Sequence, residues 1–296
     1  MTAPSLLDAD FVRELSLLRR RLKVDVRSGG AGEHVARRRG GSAEFQEHRP
    51  YAPGDDLRRI DWLAFARSGA PVVKTFRAEE DVAVRILIDA SASLGFGNPQ
   101  KIEVSRRIAA AVVYLALADS ERVQLLVSGN ADTRGLAVVG EPRRGRGALH
   151  RVLRELSHIE ARGQTSLPAA LRAVSERGLR PGLLLVLSDF FDAGPVAEEL
   201  SRLRAQGHAL TLVQVLSRME LEPDFEGDLG LVDAETQAEV EVTMDPSAIE
   251  AYLARLAGLV EELRATARRL GGRYVRVLTD EPLEAPMRRI VLGSGD

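Results

Sequence analysis

The 296-residue chain contains no cysteine, which excludes disulfides, thiolate zinc sites and cysteine nucleophiles and fits a reducing compartment. It also lacks a long apolar run. The longest, residues 108–118, is too short to span a bilayer and reads as a buried helix. Asp8, Asp10 and Glu14 give the N-terminus an acidic character unlike a secretion signal. These absences lead us to expect a soluble, cytoplasmic protein with no membrane span. No phosphate loop is present, because Gly95-Phe-Gly-Asn-Pro-Gln-Lys101 lacks the Gly-Lys-Ser/Thr ending. A Gly-x-Ser-x-Gly nucleophile elbow is missing too. Of the histidines His34, His48, His150, His158 and His208, only His150 and His158 fall near one another on a single predicted helix. They would stand about 12 Å apart along its axis, too far to share a metal.

What is present is an ordinary globular composition, 45% hydrophobic and 28% charged. The length suggests about two domains and a core that needs no covalent staples. The net charge of -2 conceals an uneven distribution. Residues 19–39 hold eight Lys or Arg against Asp25 and Glu33, whereas residues 219–245 hold ten acids and no Lys or Arg. Such a division fits a docking surface, a nucleic-acid arm or two parts of one protein that face each other. The basic run has no interleaved aromatic residues, which weakens the nucleic-acid reading.

Leu6, Leu7, Phe11, Leu15, Leu18 and Leu22 recur at helical spacing and predict an opening amphipathic helix. Residues 42–80 alternate short β-like runs with turn signals such as Ala52-Pro-Gly-Asp55, so a small β-rich module is expected there, forming with the leading helix an N-terminal domain over 1–80. From residue 81 onward strand and helix patterns alternate. That texture predicts an α/β domain over 81–296, with a mostly parallel sheet covered by helices on both faces. The strands are expected at 82–88, 123–127, 136–139, 183–187, 209–216 and 274–278. A hairpin insertion is expected at 229–232 and 240–243, and a long helix after Asp245-Pro246.

Asp89, Ser91 and Ser93 follow directly on the nearly continuously apolar run 82–88, which Arg85 alone interrupts. In open α/β sheets the loops at the carboxyl ends of strands form the ligand-binding edge. One carboxylate and two hydroxyls offer oxygen ligands only, which suits Mg²⁺ or Mn²⁺ rather than Zn²⁺ or copper. Two further loops, Gly163-Gln-Thr165-Ser166 and Ser188-Asp189, carry similar donors. Taken singly, Asp89 and Asp189 could equally cap helices or turns.

The three loops in this order resemble the von Willebrand factor A fold and its metal-ion-dependent adhesion site (MIDAS). The resemblance implies a metal held directly by Ser91, Ser93 and Thr165, with Asp89 and Asp189 supplying charge close behind. It also implies a partner carboxylate completing the shell. Two departures stand out, Gly163-Gln-Thr165 where a second glycine is usual, and Ser188-Asp-Phe190 where Thr-Asp-Gly is usual.

Arg49-Pro-Tyr-Ala-Pro-Gly-Asp55-Asp56-Leu-Arg58-Arg59-Ile-Asp61-Trp62, followed by Lys74-Thr-Phe76 and Glu79-Glu-Asp81, resembles the signature of the bacterial domain of unknown function 58 (DUF58) family. Pro53-Gly54 reads as a turn whose acids cap it or pair with Arg49, Arg58 and Arg59, with Trp62 expected to anchor the hairpin in an interdomain core. The family resemblance implies a divalent-metal-dependent, non-enzymatic adaptor working with a MoxR-type AAA+ ATPase in the assembly or maturation of other proteins. A Mg²⁺-dependent phosphohydrolase is one alternative. The other is a nucleic-acid-binding protein using residues 19–39.

Overall fold

The computed structural model describes residues 5–28, 44–53, 55–57, 60–77, 83–128, 135–191, 195–223, 227–232 and 239–293. Two compact units are formed, Arg38–Asp81 on the one hand and Met1–Arg37 with Val82–Asp296 on the other. The leading helix α1 (Ala9–Ser28), grouped with the β module by a boundary at residue 80, belongs instead to the α/β unit. Its apolar stripe explains why. Phe11, Leu15, Leu18 and Leu22 are all buried in the same core as the first strand of the large sheet.

In the small unit, β1 (Glu44–Pro50) and β2 (Val72–Arg77) pair antiparallel, with a register shift between Phe45 and Glu47. The short helix α2 (Trp62–Ser68) starts where the Asp61 carboxylate accepts from the amides of Leu63 and Ala64, each at 3.0 Å. It ends at Gly69, whose φ of 70° is the left-handed conformation glycine adopts freely. Asp55 accepts from the Ala52 amide at 2.9 Å and pairs with Arg49 at 2.6 Å. Asp55 and Asp61 therefore serve turn, cap and ion pair. Trp62 differs from its expected role. It meets Phe65 edge-on, ring centroids 6.2 Å apart, and is 60% exposed.

The large unit runs β3 (Ala83–Ile88), α3 (Lys101–Ala118), β4 (Arg122–Ser128), β5 (Leu136–Arg144), α4 (Leu149–Ser157) and α5 (Leu167–Glu176). It continues with β6 (Gly182–Ser188), α6 (Val196–Ala205), β7 (Ala209–Leu216) and a single helical turn Arg218–Leu221. The hairpin β8 (Gly227–Val232) and β9 (Glu239–Met244) follows, then α7 (Pro246–Arg269), β10 (Arg273–Leu278) and α8 (Glu284–Leu292). The six-stranded sheet has the order β10-β7-β6-β3-β4-β5, parallel throughout except for the antiparallel edge strand β5. Numbered by chain order within the sheet, this is the doubly wound sequence 3-2-1-4-5-6. It is the von Willebrand A-like α/β architecture expected.

Alternation along the strands feeds two cores. Ile86 and Ile88 of β3 join Leu185 and Leu187 of β6 under α1, α3, α4 and α8. Leu87, Leu184 and Val186 face the opposite layer of α5, α6 and α7. This two-sided burial is why the strands read as continuous apolar runs. The helix α3 begins at Lys101, two residues after Pro99. The terminal helix α8 had no counterpart in the periodicity reading. No helix of the described residues is long and apolar enough to cross a membrane.

Two outcomes test this packing. Replacing the buried ring by Phe11→Ala is expected to destabilise the α/β unit by about 3–5 kcal/mol in urea titration, which a loosely appended helix would not. The second concerns the buried His208, just before β7. Burial, then the charge of Arg85, holds its pKa below the ordinary histidine value. The neutral ring is therefore favoured on folding. Its contribution is complete above the unfolded value of about 6.5 and is lost as pH falls through the depressed folded value. Stability should thus fall from pH 7.5 toward pH 5 more steeply in the wild type than in His208→Leu.

Candidate functional site

β3 and β6 are adjacent parallel strands at the point where strand order reverses, the position at which doubly wound sheets leave a crevice. Their register sets Ile88 against Leu187, so Asp89 leaves the sheet level with Ser188, and Asp189 follows one residue further at the same carboxyl end. Gly182, at the start of β6, permits the close approach. A Cβ there would collide with the Ala83 carbonyl oxygen. The Asp89 amide then donates to the Leu187 carbonyl at 2.8 Å, extending the pairing beyond the strands.

The predicted residues converge. Asp89 Oδ1 accepts from the Ser91 amide at 3.0 Å, from Ser128 Oγ at 3.0 Å and from Thr165 Oγ1 at 3.1 Å, while Oδ2 accepts from Ser188 Oγ at 2.7 Å. Ser91 Oγ and Ser93 Oγ lie 2.9 Å apart, and Ser93 Oγ donates to Asp189 Oδ2 at 2.8 Å. Asp89, Ser91, Ser93, Thr165 and Asp189 thus form one hydrogen-bonded constellation drawn from three loops. Among the described residues no cationic side chain pairs with Asp89. Burial, with the Asp189 charge second, raises its carboxyl above the ordinary range against the pull of its hydrogen bonds. No group of three or more His, Cys, Asp or Glu suited to a metal occurs among the described residues. Hydroxyl oxygens would therefore have to supply much of any shell, a donor set for a hard cation.

Several participants escaped the motif reading. Ser128, at the end of β4, donates to Asp89, lies 3.2 Å from Thr165 Oγ1 and accepts the Ala90 amide at 2.8 Å. Gln214 of β7 donates to the Asp189 carbonyl at 3.0 Å and accepts from the Tyr274 hydroxyl at 2.5 Å. Most consequential is Lys101, whose Nζ lies 2.7 Å from both Asp189 Oδ2 and Glu220 Oε1 with the side chain 1% exposed. Glu220 is held in turn by a capping box, its Oε2 accepting the Ser217 amide at 2.7 Å. Phe191 and Phe96 lie with ring centroids 5.2 and 5.9 Å from the ammonium. Nearby, burial pushes the Tyr252 hydroxyl up to about 12, with the charges of Glu220 and Asp189 adding to the shift. A sequence signal did exist. Lys23, Lys74 and Lys101 are the only lysines among 41 Lys and Arg residues, and Lys101 opens a helix that is otherwise apolar or small over much of its length.

The Ser-Asp-Phe departure has a backbone meaning. Phe190 stands at φ 59°, a conformation that costs a residue with a Cβ roughly 1–2 kcal/mol. Its ring, 2% exposed in the core, offsets that cost by burial. Phe191 then turns outward, 40% exposed, as does Phe96 at 43%.

The six-stranded doubly wound sheet gives the chain a von Willebrand A-like fold, with a hydroxyl-rich crevice and two aspartates at its switch point. The chain belongs to the family described as protein of unknown function DUF58, whose profile matches residues 47–259. An uncharacterized protein of Mycobacterium tuberculosis, Rv1480, is 30% identical over 268 residues, covering 88% of this chain and 82% of the relative. Among solved structures, a conserved hypothetical protein BatB from Bacteroides thetaiotaomicron is 14% identical with a TM-score of 0.44, covering 72% of this chain and 100% of that one. A von Willebrand factor type A protein from Catenulispora acidiphila is 15% identical with a TM-score of 0.46, covering 75% and 43%.

Ser128→Ala removes one donor from Asp89 and the acceptor of the buried Ala90 amide. A loss of about 1–3 kcal/mol in urea denaturation is expected, against near neutrality if that hydroxyl merely fills space.

Proposed function

We propose that the protein is a non-enzymatic protein–protein interaction adaptor whose binding pocket is completed by Mg²⁺ or Mn²⁺ at Ser91, Ser93 and Thr165, with Asp89 and Asp189 supplying charge. The observation that carries this reading is the buried Asp89 carboxylate, surrounded by neutral donors beside three hydroxyls. A buried charge without a counter-charge is costly, and an oxygen-only pocket around it fits a small hard dication. When bound, the ion would offer an electrophilic position that a carboxylate from a protein partner completes. The chain itself holds the hydroxyls in place through Asp89 and Asp189. Phe96 and Phe191 provide a half-exposed apolar rim for the partner's surface.

A MoxR-type AAA+ ATPase is the energy-supplying partner we propose, with this chain capturing proteins for assembly or maturation. An ATP-driven partner implies work in the cytoplasm. The phosphohydrolase reading has weaker support. The position two residues after Asp89 is Ser91 rather than an acid, and the neighbouring ammonium of Lys101 is engaged by two carboxylates. For nucleic-acid binding, Arg19 pairs with Asp119 and Arg21 with Glu284, while residues 29–39 lie outside the described residues.

Affinity capture from a lysate of the source cell, with Mg²⁺ and with chelator, is the direct test. Wild type should retain partners only with metal, and Asp89→Ala should lose them while keeping its circular dichroism spectrum. Capture unchanged in chelator and in the variant would sink the metal-dependent reading. Phosphoester turnover by the wild type that disappears in Asp89→Ala would replace it with the enzymatic one.

A further inference from the structure

We infer that Lys101 is a resident cation of the pocket, an ammonium that neutralises Asp189 and competes with a divalent metal ion for it. The inference rests on the metal reading above and adds a regulator to the same site. Three observations lead to it. The first is position. Lys101 Nζ and Ser93 Oγ meet the same carboxylate oxygen, Asp189 Oδ2, at 2.7 and 2.8 Å. An ion held at Ser91 and Ser93 would therefore share its neighbourhood with the ammonium, and like charges at such a separation in a buried setting repel strongly.

The second observation is how completely the ammonium is held. Two carboxylates from different elements grip it, one at the end of β6 and one on the helical turn Arg218–Leu221. Phe96 and Phe191 flank it, adding attraction between ring faces and cation. With a side chain 1% exposed, this is a buried ion pair network rather than a surface bridge.

The third is the charge difference between the two aspartates. Asp189 has a counter-ion, whereas Asp89 is surrounded only by amide and hydroxyl donors among the described residues. The ammonium thus satisfies one half of a two-aspartate site. In the lysine-closed form Asp189 and its serine are engaged with each other and with Lys101. Full use of Asp189 by a metal requires the ammonium to give way toward Glu220, whose capping box keeps that second anchor in place. Glu220 is in this account the parking position that lets Lys101 yield without losing its charge partner. The pocket alternates between an ammonium-closed and a metal-bound arrangement, and the metal affinity reflects the competition.

Isothermal titration of the full chain with Mg²⁺ and with Mn²⁺ tests this. Lys101→Met, which keeps an unbranched stem out to the ε position and removes the charged head, is expected to bind at least tenfold more tightly than the wild type. Measurable binding by the variant alone gives the same support. Equal or weaker binding by the variant, with the wild type still binding, overturns the competition and leaves the metal site standing. No binding by either protein, both folded by circular dichroism, overturns the two together. Should Lys101→Met fail to fold, ¹⁵N-lysine labelling of the wild type gives an independent readout, because only Lys23, Lys74 and Lys101 contribute signals. The protected Lys101 ammonium signal should lose its slow proton exchange at saturating Mg²⁺. Retention of that slow exchange in the metal-saturated protein overturns the proposal.

Discussion

Two carboxylates stand at the ends of neighbouring parallel strands, and both are almost completely withdrawn from water. Bringing like charges together in a buried crevice is unfavourable unless each finds compensation. Much of the local structure can be understood as that compensation. Ser188 and Ser128, the terminal residues of β6 and β4, turn their hydroxyls onto Asp89. Thr165 reaches it from the loop before α5. Lys101 begins α3 on the far side of Asp189, and Glu220 anchors the helical turn that follows β7. Elements from both sheet layers are thereby tied to one charge problem at the switch point.

The backbone carries part of the same constraint. Parallel pairing of β3 with β6 depends on the bare Gly182 against Ala83, and that pairing sets the lateral spacing of the two aspartates. Directly after Asp189 the chain turns through a left-handed residue that is not glycine. The ring of Phe190 buries itself in the layer formed with Leu167, Leu171 and Val196. A glycine would make the turn easily but contribute nothing to that core. Here the turn is held by packing, and Phe191 is delivered to the rim as a consequence.

The sheet was legible in the sequence because a central parallel strand has little choice of composition. Runs such as Ile86–Ile88 and Leu183–Leu187 are apolar on both faces, so their ends, and with them Asp89 and Asp189, stood out. The three oxygen-bearing loops were legible for the same reason. The helix at Glu284–Leu292 was not, since its buried Met287 and Ile290 are too few to establish a period. Trp62 misled because a lone tryptophan usually reports burial, whereas this ring meets Phe65 edge-on and stays 60% exposed. Lys101, Glu220 and Ser128 lie on separate elements far apart in the chain, and none belongs to a motif. Their relation arises only when α3, β4 and the turn after β7 converge on one sheet edge.

That the cation buried beside Asp189 is a lysine has a physical reason in a chain that otherwise relies on arginine. An ammonium is a compact point charge that can be shared between carboxylates approaching from different directions, and its long stem can shift the charge without moving the helix. A guanidinium is planar, prefers to grip one carboxylate with two parallel bonds, and needs more room. Beneath Phe96 and Phe191, with Asp189 and Glu220 belonging to different elements, the smaller head fits a bridging role that arginine would convert into a fixed pair. Elsewhere the chain shows the contrasting use. Arg172 places Nε and Nη2 on the one oxygen Glu199 Oε1 at 2.9 and 2.8 Å, clamping α5 to α6 without any need to move. The choice of residue at position 101 therefore distinguishes a cation that must be shared from one that only has to hold.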